Sequence, residues 1–226
     1  MKINAAAVSA IALLAGTATA GLPSVNVGID QSDAPWLAFM NVFELPANGG
    51  GFVFGSPWGI ADLTAQFDDG ANTLTMGPNT IGDPDPFWYI GGGGPGAQGN
   101  KIMEANLFQE VAGGLAGTTV NFSGNVLSNS FTDAHEATVF IRDFAGDFSS
   151  FEESRAAVDA AGNFSISLDT INDASRIVQW GIQVRGENVW VTDVAPFGNI
   201  VFATVPTPGA LAILGMGGLM AGRRRR

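Results

Sequence analysis

The sequence contains no cysteine and only one histidine, His135. Without cysteine no disulfide can form, so a chain of this length must rely on its hydrophobic core for stability. A zinc site needs several nitrogen or sulfur ligands, and a serine triad needs a nucleophile on a motif such as G-x-S-x-G, which is absent. These absences argue against zinc and serine enzymes, and we expect His135 at the surface, on a loop or edge strand.

Basic residues are scarce between residues 21 and 204. This region contains five basic residues and all 21 acidic residues of the chain, so its net charge is −16. Such a surface repels phosphate backbones, so we expect no nucleic-acid partner. Acidic turns also offer oxygen ligands for calcium, although solvation of the same charges is the simpler interpretation.

No apolar run reaches the about 20 residues of a membrane-spanning helix. The first residues nevertheless have a recognisable pattern. A basic start is followed by an apolar stretch over 3–15 and by the small residues Ala18 and Ala20. This order is typical of a secretory signal peptide, which signal peptidase removes after Ala20. The predicted organisation is a signal peptide (1–20), one folded domain (21–204) and a C-terminal segment (205–226).

Short runs that alternate between apolar and polar residues dominate the predicted domain. The alternation is clear over 164–168 and 178–185, which is typical of strands with one buried and one solvated face. Many short strands without regular helices between them predict an all-β fold, a single antiparallel β-sandwich of jelly-roll type. Further predicted strands are 36–44, 51–54, 60–67, 72–76, 101–111, 120–123, 137–143, 189–194 and 199–203.

Two segments allow more than one interpretation. Residues 150–161 have a helical composition, but a turn signal follows them directly, so we favour strand–turn–strand. Residues 83–100 contain the spacing G-x-G-x-x-G, yet Pro95 interrupts it and no βαβ pattern surrounds it. We therefore interpret this segment as a glycine-rich surface loop rather than a dinucleotide site.

Aromatic residues in loops are candidates for stacking on sugar rings. Trp58 and Trp88 lie beside proline and glycine, and Tyr89 follows directly, whereas Trp180 falls on the apolar side of a predicted strand. We predict glycan contacts at Trp58, Trp88 and Tyr89. Because 21 acidic residues offer many pairs, a glycosidase that uses two carboxylates is the alternative to a non-enzymatic binding protein.

The C-terminal segment has three ordered parts. Val205, Pro206, Thr207 and Pro208 precede an apolar run of 14 residues, 209–222, which is shorter than the about 20 residues of a spanning helix. The chain then ends in four arginines, which would stay on the cytoplasmic side. These basic residues are Arg223, Arg224, Arg225 and Arg226.

This arrangement resembles the PEP-CTERM sorting signal of bacterial exported proteins. The resemblance implies that an exosortase recognises Val205–Pro208, that a short hydrophobic helix anchors the chain transiently in the inner membrane, and that the arginines stop transfer. Thr207 stands where the family motif has glutamate. The implied destination is the cell envelope or the extracellular matrix.

The domain itself is similar to jelly-roll carbohydrate-binding modules, in the stretch 38–59 and in the closing stretch 189–202. That resemblance implies polysaccharide binding and, as the one metal, a structural calcium that joins Glu44 to Asp193. No other cofactor is implied. The sequence thus predicts an exported, non-enzymatic protein with a structural or adhesive role.

Overall fold

The computed structural model describes residues 21–206, which form strands joined by turns and by three short 3₁₀ segments, Pro46–Asn48, Ala61–Leu63 and Ala195–Phe197. In chain order the strands are β1 (Ser24–Val27), β2 (Leu37–Glu44), β3 (Phe52–Pro57), β4 (Ala65–Asp68), β5 (Thr73–Met76), β6 (Thr80–Ile81), β7 (Lys101–Ala112), β8 (Thr119–Asn129), β9 (His135–Phe144), β10 (Phe151–Ala157), β11 (Gly162–Asp169), β12 (Ile177–Glu187), β13 (Val189–Trp190) and β14 (Ile200–Ala203).

Two open six-stranded sheets make up the fold. The first, which we call the cleft sheet, has the order β10-β9-β12-β7-β2-β3 and is antiparallel throughout. The second, the back sheet, is centred on β8, which pairs with β11 along one edge and with β1 and then β14 along the other. β5 and β4 extend the back sheet beyond β14, and a parallel pair of β6 and β13 lies outside both sheets.

The core forms where the two sheets face each other. On β12 the alternate residues Val178, Trp180, Ile182 and Val184 belong to this core. Gln179 and Gln183 on the other face are buried as well, so the solvated face predicted for 178–185 is wrong. Phe122 of β8 belongs to the same buried cluster. The predicted antiparallel β-sandwich is therefore confirmed, with β1–β8 and β6–β13 as parallel exceptions.

Two predicted strands are shorter than expected. In 60–67 the first half is a 3₁₀ segment, because Asp62 accepts a hydrogen bond from the Gly59 amide over 3.1 Å and closes a turn there. In 189–194 only β13 is extended, and a backbone hydrogen bond from Asp193 to Trp190 ends it. The short strands β1 and β6 were not predicted at all.

The segment 150–161 contains a strand and a turn that leads into the next strand, as favoured, but the two strands do not pair with each other as a hairpin. β10 pairs with β9 in the cleft sheet, whereas β11 pairs with β8 in the back sheet. The turn between them therefore crosses from one sheet to the other. Its crossing is fixed by the Val158 amide, which donates to the Ala137 carbonyl over 3.1 Å.

The signal-peptide prediction, with Ala18 and Ala20, falls outside the described residues, and so does the C-terminal hydrophobic helix. Of the sorting motif only Val205 and Pro206 are described; Thr207, Pro208 and the four arginines are not. Within 21–206 we find no helix with the length and apolarity needed to cross a membrane. Val205 itself is paired: its amide donates to Ile29 over 2.8 Å, and its carbonyl accepts from the Gln31 amide over 3.1 Å.

Candidate functional site

The outer face of the cleft sheet, which points away from the core, carries amide, charged and aromatic side chains. The strand register places Gln183 of β12 between Asn106 of β7 and Thr138 of β9. Gln179, which precedes Gln183 on the same face of β12, lies opposite Arg142 of β9. Because paired residues share a face, these side chains form polar rows across the sheet.

A cleft of about 570 Å³ lies over these rows. Its volume is within the range of small-ligand sites. Strands β2, β7, β9, β10 and β12 and the turn between β9 and β10 all contribute to it. The lining residues are Phe39, Asn41, Glu104, Asn106, Phe108, Glu110, Arg142, Phe144, Phe148, Phe151 and Gln179.

The floor of the cleft is a connected hydrogen-bond network. Arg142 donates through Nε to Glu153 Oε1 over 2.7 Å and through Nη1 to Asn106 Oδ1 over 3.0 Å. Gln183 Nε2 donates to the same Asn106 oxygen over 2.9 Å, and Arg155 donates to Gln183 Oε1 over 2.7 Å. Bonds of this kind hold the polar groups in fixed positions before any ligand arrives.

Three carboxylates on this face accept a hydrogen bond from a neighbouring side chain. Glu104 Oε1 accepts from Asn41 Nδ2 over 3.0 Å, and Glu110 Oε2 accepts from Gln179 Nε2 over 2.7 Å. Glu153 is bonded to the guanidinium already described. The carboxylates thus orient their amide and guanidinium partners and keep free lone pairs that can accept from hydroxyl groups.

Aromatic rings form one wall of the cleft. The ring of Phe144, at the end of β9, lies with its centre 5.3 Å from that of Phe148 and 5.0 Å from that of Phe151. Phe148 is 54% exposed and Phe151 is 51% exposed. Exposed rings beside a polar floor suit a ligand with both apolar and polar faces.

The two predicted tryptophans lie outside this cleft. Both are half-buried and pack against the core cluster. Trp58 lines a separate cleft of about 650 Å³ and donates through Nε1 to Ser56 Oγ over 2.9 Å. Trp88 packs edge-on against Phe87, with 4.7 Å between the ring centres.

Tyr89 has no exposed surface at all. Its hydroxyl donates to the carbonyl of either Ile81 (2.5 Å) or Val189 (3.0 Å), which are both within hydrogen-bond distance, and its ring packs edge-on against Trp190. Burial raises the pKa of Tyr89. The side chain therefore ties the 83–100 loop to the fold, and in this structure it offers no ring face to a sugar.

The two residues of the predicted calcium site have different partners. Glu44 Oε2 forms an ion pair with Lys101 Nζ at 3.1 Å. Asp193 accepts from the Gly96 amide over 2.6 Å and from Thr192 Oγ1 over 2.9 Å. Within 21–206 no group of three or more His, Cys, Asp or Glu residues could hold a metal ion. Each of the two carboxylates is thus engaged with another partner, and calcium binding at Glu44 and Asp193 stays a prediction.

His135 is buried, so the expected surface position is wrong. Its ring packs between Phe131 and Phe197, and Gly186 on β12 leaves the space it occupies, since a Cβ there would lie 2.3 Å from His135 Cδ2. Burial lowers the pKa of His135 to about 4, although the nearby Glu187 carbonyl acts in the opposite direction. That carbonyl does not complete a hydrogen bond, and neither ring nitrogen has another partner among residues 21–206.

No protein-family model matches the chain, and no curated protein matches its sequence. Among solved structures the chain is similar to the carbohydrate-binding module TmCBM61, whose structure contains β-1,4-galactotriose; identity is 12%, the match covers 75% of this chain and 83% of that one, and the TM-score is 0.31. A family 4 carbohydrate-binding module matches with 11% identity over 77% of this chain and 88% of that one, with a TM-score of 0.33.

A third structure, the xylan-binding family 22 domain of Paenibacillus barcinonensis Xyn10C, has 13% identity over 46% of this chain and 76% of that one, with a TM-score of 0.26. At such low TM-scores these likenesses carry no weight for function. The case for a ligand rests on the cleft itself.

Proposed function

We propose that the protein binds a polysaccharide chain in the cleft on the outer face of the cleft sheet. The observation that supports this most is the pair of exposed rings, Phe148 and Phe151, beside a polar floor in a cleft of about 570 Å³. A sugar ring has an apolar C–H face that packs on aromatic rings and hydroxyls that bond to amides, guanidinium groups and carboxylates. The cleft provides both kinds of contact side by side.

The test is a screen of the intact protein against a panel of soluble polysaccharides by affinity electrophoresis, followed by calorimetry on whatever is retained. We expect Phe151→Ala to weaken binding by about tenfold, as for a central aromatic contact. Phe52→Ala is the matched control, because Phe52 is 62% exposed but lies outside the cleft. Failure of every polysaccharide to retain the wild type would reject the proposal.

We favour a binding protein over an enzyme, because the cleft carboxylates Glu104 and Glu110, and Glu153 beside them on the same face, are engaged in hydrogen bonds to neighbouring side chains. The alternative, a glycan-active enzyme with a carboxylate pair, predicts released oligosaccharide that disappears in one of the variants Glu104→Gln, Glu110→Gln or Glu153→Gln. Binding without release of oligosaccharide favours the binding protein. Neither binding nor release would favour a purely structural surface protein.

We also propose that the protein is exported, processed by an exosortase and placed in the cell envelope or extracellular matrix with an adhesive or structural role. The support is the sequence pattern at its two ends. The test is to compare the cell fractions of the full chain and of a chain that ends at Pro206. This cut point keeps the hydrogen bonds of Val205 to Ile29 and Gln31, so a change of location is not caused by misfolding. Equal distribution of both forms would contradict sorting.

Trp58 is proposed as a separate, weaker sugar contact, supported by its place in a second cleft of about 650 Å³. Trp58→Ala is expected to reduce binding only slightly while Phe151→Ala reduces it strongly. Equal losses in both variants would contradict this ranking.

Calcium binding is tested by a calorimetric scan with and without EDTA. A lower melting temperature with EDTA supports a structural calcium, and Glu44→Gln or Asp193→Asn should then remove the effect. An unchanged melting temperature argues against it.

A further inference from the structure

One residue of the cleft wall holds an unfavourable backbone conformation. Within 21–206, three residues other than glycine have a positive φ: Thr64 at 53°, Asn72 at 54° and Phe148 at 58°. In this left-handed region the Cβ atom crowds the following carbonyl oxygen, and a bulky side chain there is rare.

The other two residues gain hydrogen bonds in return. Thr64 Oγ1 donates to a nearby backbone carbonyl, that of Leu63 (2.7 Å) or that of Pro78 (3.0 Å). Asn72, a residue type that tolerates this conformation, accepts at Oδ1 from Gln31 Nε2 over 2.8 Å. Phe148 has no polar side-chain group, and the residue is still more than half exposed to solvent.

The turn between β9 and β10 imposes this conformation. Ala145 donates to the Ser150 carbonyl over 2.9 Å and accepts from the Phe148 amide over 2.8 Å. Asp147 Oδ1 accepts from the Ser149 amide over 3.0 Å and from Ser149 Oγ over 2.6 Å. The turn therefore fixes the Phe148 backbone from both sides, and its ring stands at the cleft wall against Phe144.

We propose that Phe148 is a preformed platform on which one pyranose ring of the bound polysaccharide stacks, and that the strained turn exists to present it. This inference rests on the proposed function of the cleft. Within the free protein no contact of the side chain offsets the cost of this backbone conformation, whereas burial of the exposed ring by a ligand would offset it. Strained residues of this kind are found at ligand sites. The fixed ring also loses little freedom on binding, which favours affinity.

The charges of the turn and of the cleft lining favour one class of sugar. The carboxylates of Asp147 and Glu110 lie on the turn and on the cleft lining, and the cationic Arg142 is already bonded to Glu153. A uronate or sulfate group would meet this acidic surrounding without a free cation among the lining residues. The geometry therefore favours an uncharged pyranose unit with a flat C–H face at this position.

The experiment uses substitutions of Phe148 that separate binding from stability. Phe148→Gly removes the ring and relieves the backbone, Phe148→Ala removes only the ring, and Phe148→Trp keeps an aromatic face. The ligand is a neutral polysaccharide that binds the wild-type protein in the electrophoresis screen. In calorimetric titration its affinity should be at least about tenfold lower for Phe148→Gly and Phe148→Ala and unchanged for Phe148→Trp. Phe148→Gly should melt at a higher temperature than Phe148→Ala. Asn72→Gly, a change at a positive φ outside the cleft, should leave binding unchanged.

Each alternative result has a distinct meaning. If no polysaccharide binds the wild type, both the proposed function and the platform are rejected. If the wild type binds and Phe148→Ala binds equally well, the cleft function stands and the platform is rejected. If Phe148→Gly melts below Phe148→Ala, the strain does not exist and the inference fails. Stronger binding of polygalacturonate than of neutral chains would reject the assignment of an uncharged sugar.

Discussion

Arg142 and Glu153 are directly cross-strand neighbours on β9 and β10, and the Nε–Oε1 distance between them is 2.7 Å. Their side chains are 13% and 20% exposed, so water screens the pair only partly. The same guanidinium holds Asn106 in place and lies 4.0 Å from the centre of the Phe140 ring. Arg142 thus links β9, β10 and β7 across the floor of the cleft.

Replacing Arg142 with lysine should weaken ligand binding by about tenfold, because an ammonium group lacks the planar fork that reaches both Glu153 and Asn106. We expect a loss of about 1–3 kcal/mol in the free energy of unfolding, measured by denaturant titration. The control is Arg185→Ala: Arg185 is 40% exposed and its nearest carboxylate contacts are 3.7 and 3.8 Å, so its removal should cost less than about 1 kcal/mol. Similar losses in both variants would contradict the assigned role.

Asp143→Asn should destabilise the fold without affecting the cleft. Asp143 is fully buried, accepts from Arg176 Nε over 2.8 Å and from the Ile171 amide over 2.8 Å, and points to the core side of β9. Removal of its charge leaves a buried guanidinium without a counterion, which costs about 3 kcal/mol or more. Denaturant titration checks the stability and calorimetric titration the binding; Asp169→Asn, an exposed change, should be close to neutral in both.

The pH dependence of stability should have a component from His135. Because its pKa is lowered from 6.5 to about 4, the unfolded chain takes up a proton between these values and the folded protein does not. The stabilisation is therefore complete above about pH 6.5 and is lost as the pH falls towards 4, by up to about 3 kcal/mol.

The measurement is a series of denaturant titrations between pH 7 and pH 4 on the wild type and His135→Leu. The carboxyl groups are common to both proteins, so their difference isolates the histidine. We expect the difference in stability to shift in favour of the leucine variant as the pH falls. A difference that does not change with pH would mean that His135 is not buried in its neutral form.

Tyr89→Phe should cost about 1–2 kcal/mol in stability, because the carbonyls of Ile81 and Val189 lose a buried donor. Binding of polysaccharide should not change. The prediction is checked by thermal unfolding together with calorimetric titration. A loss of affinity with unchanged stability would contradict this prediction and would indicate that Tyr89 contacts the ligand.

The β-sandwich could be predicted from the sequence because strands are recognised from the pattern of residues that are neighbours in the chain. Alternation over 164–168 and 178–185 depends only on neighbouring residues, and both segments are strands, although burial alternates only in β11 and nearly all of β12 is buried. The segment 60–67 failed for an equally local reason, since a single aspartate side chain closed a turn inside an apolar run.

The candidate site was not predictable in the same way. Arg142 and Asn106 are 36 positions apart and meet only through the register of β9, β12 and β7, which no single strand contains. The sequence pointed to tryptophans in loops, whereas the exposed rings of the cleft are phenylalanines. The sequence gives one indication of an exposed ring at Phe148, because this large apolar residue lies between aspartate and serine in a turn sequence. Its backbone conformation is visible only in the structure.

The pairing of Val205 with Ile29 and Gln31 decides how mechanical load travels through the protein. The first and last described segments are fastened to each other by two backbone hydrogen bonds, beside the back sheet. A tension applied between residues 21 and 206 first strains these bonds and the pairing of β1 with β8. All six strands of the cleft sheet lie between these segments in the chain, so such a tension reaches the cleft only after these bonds have broken.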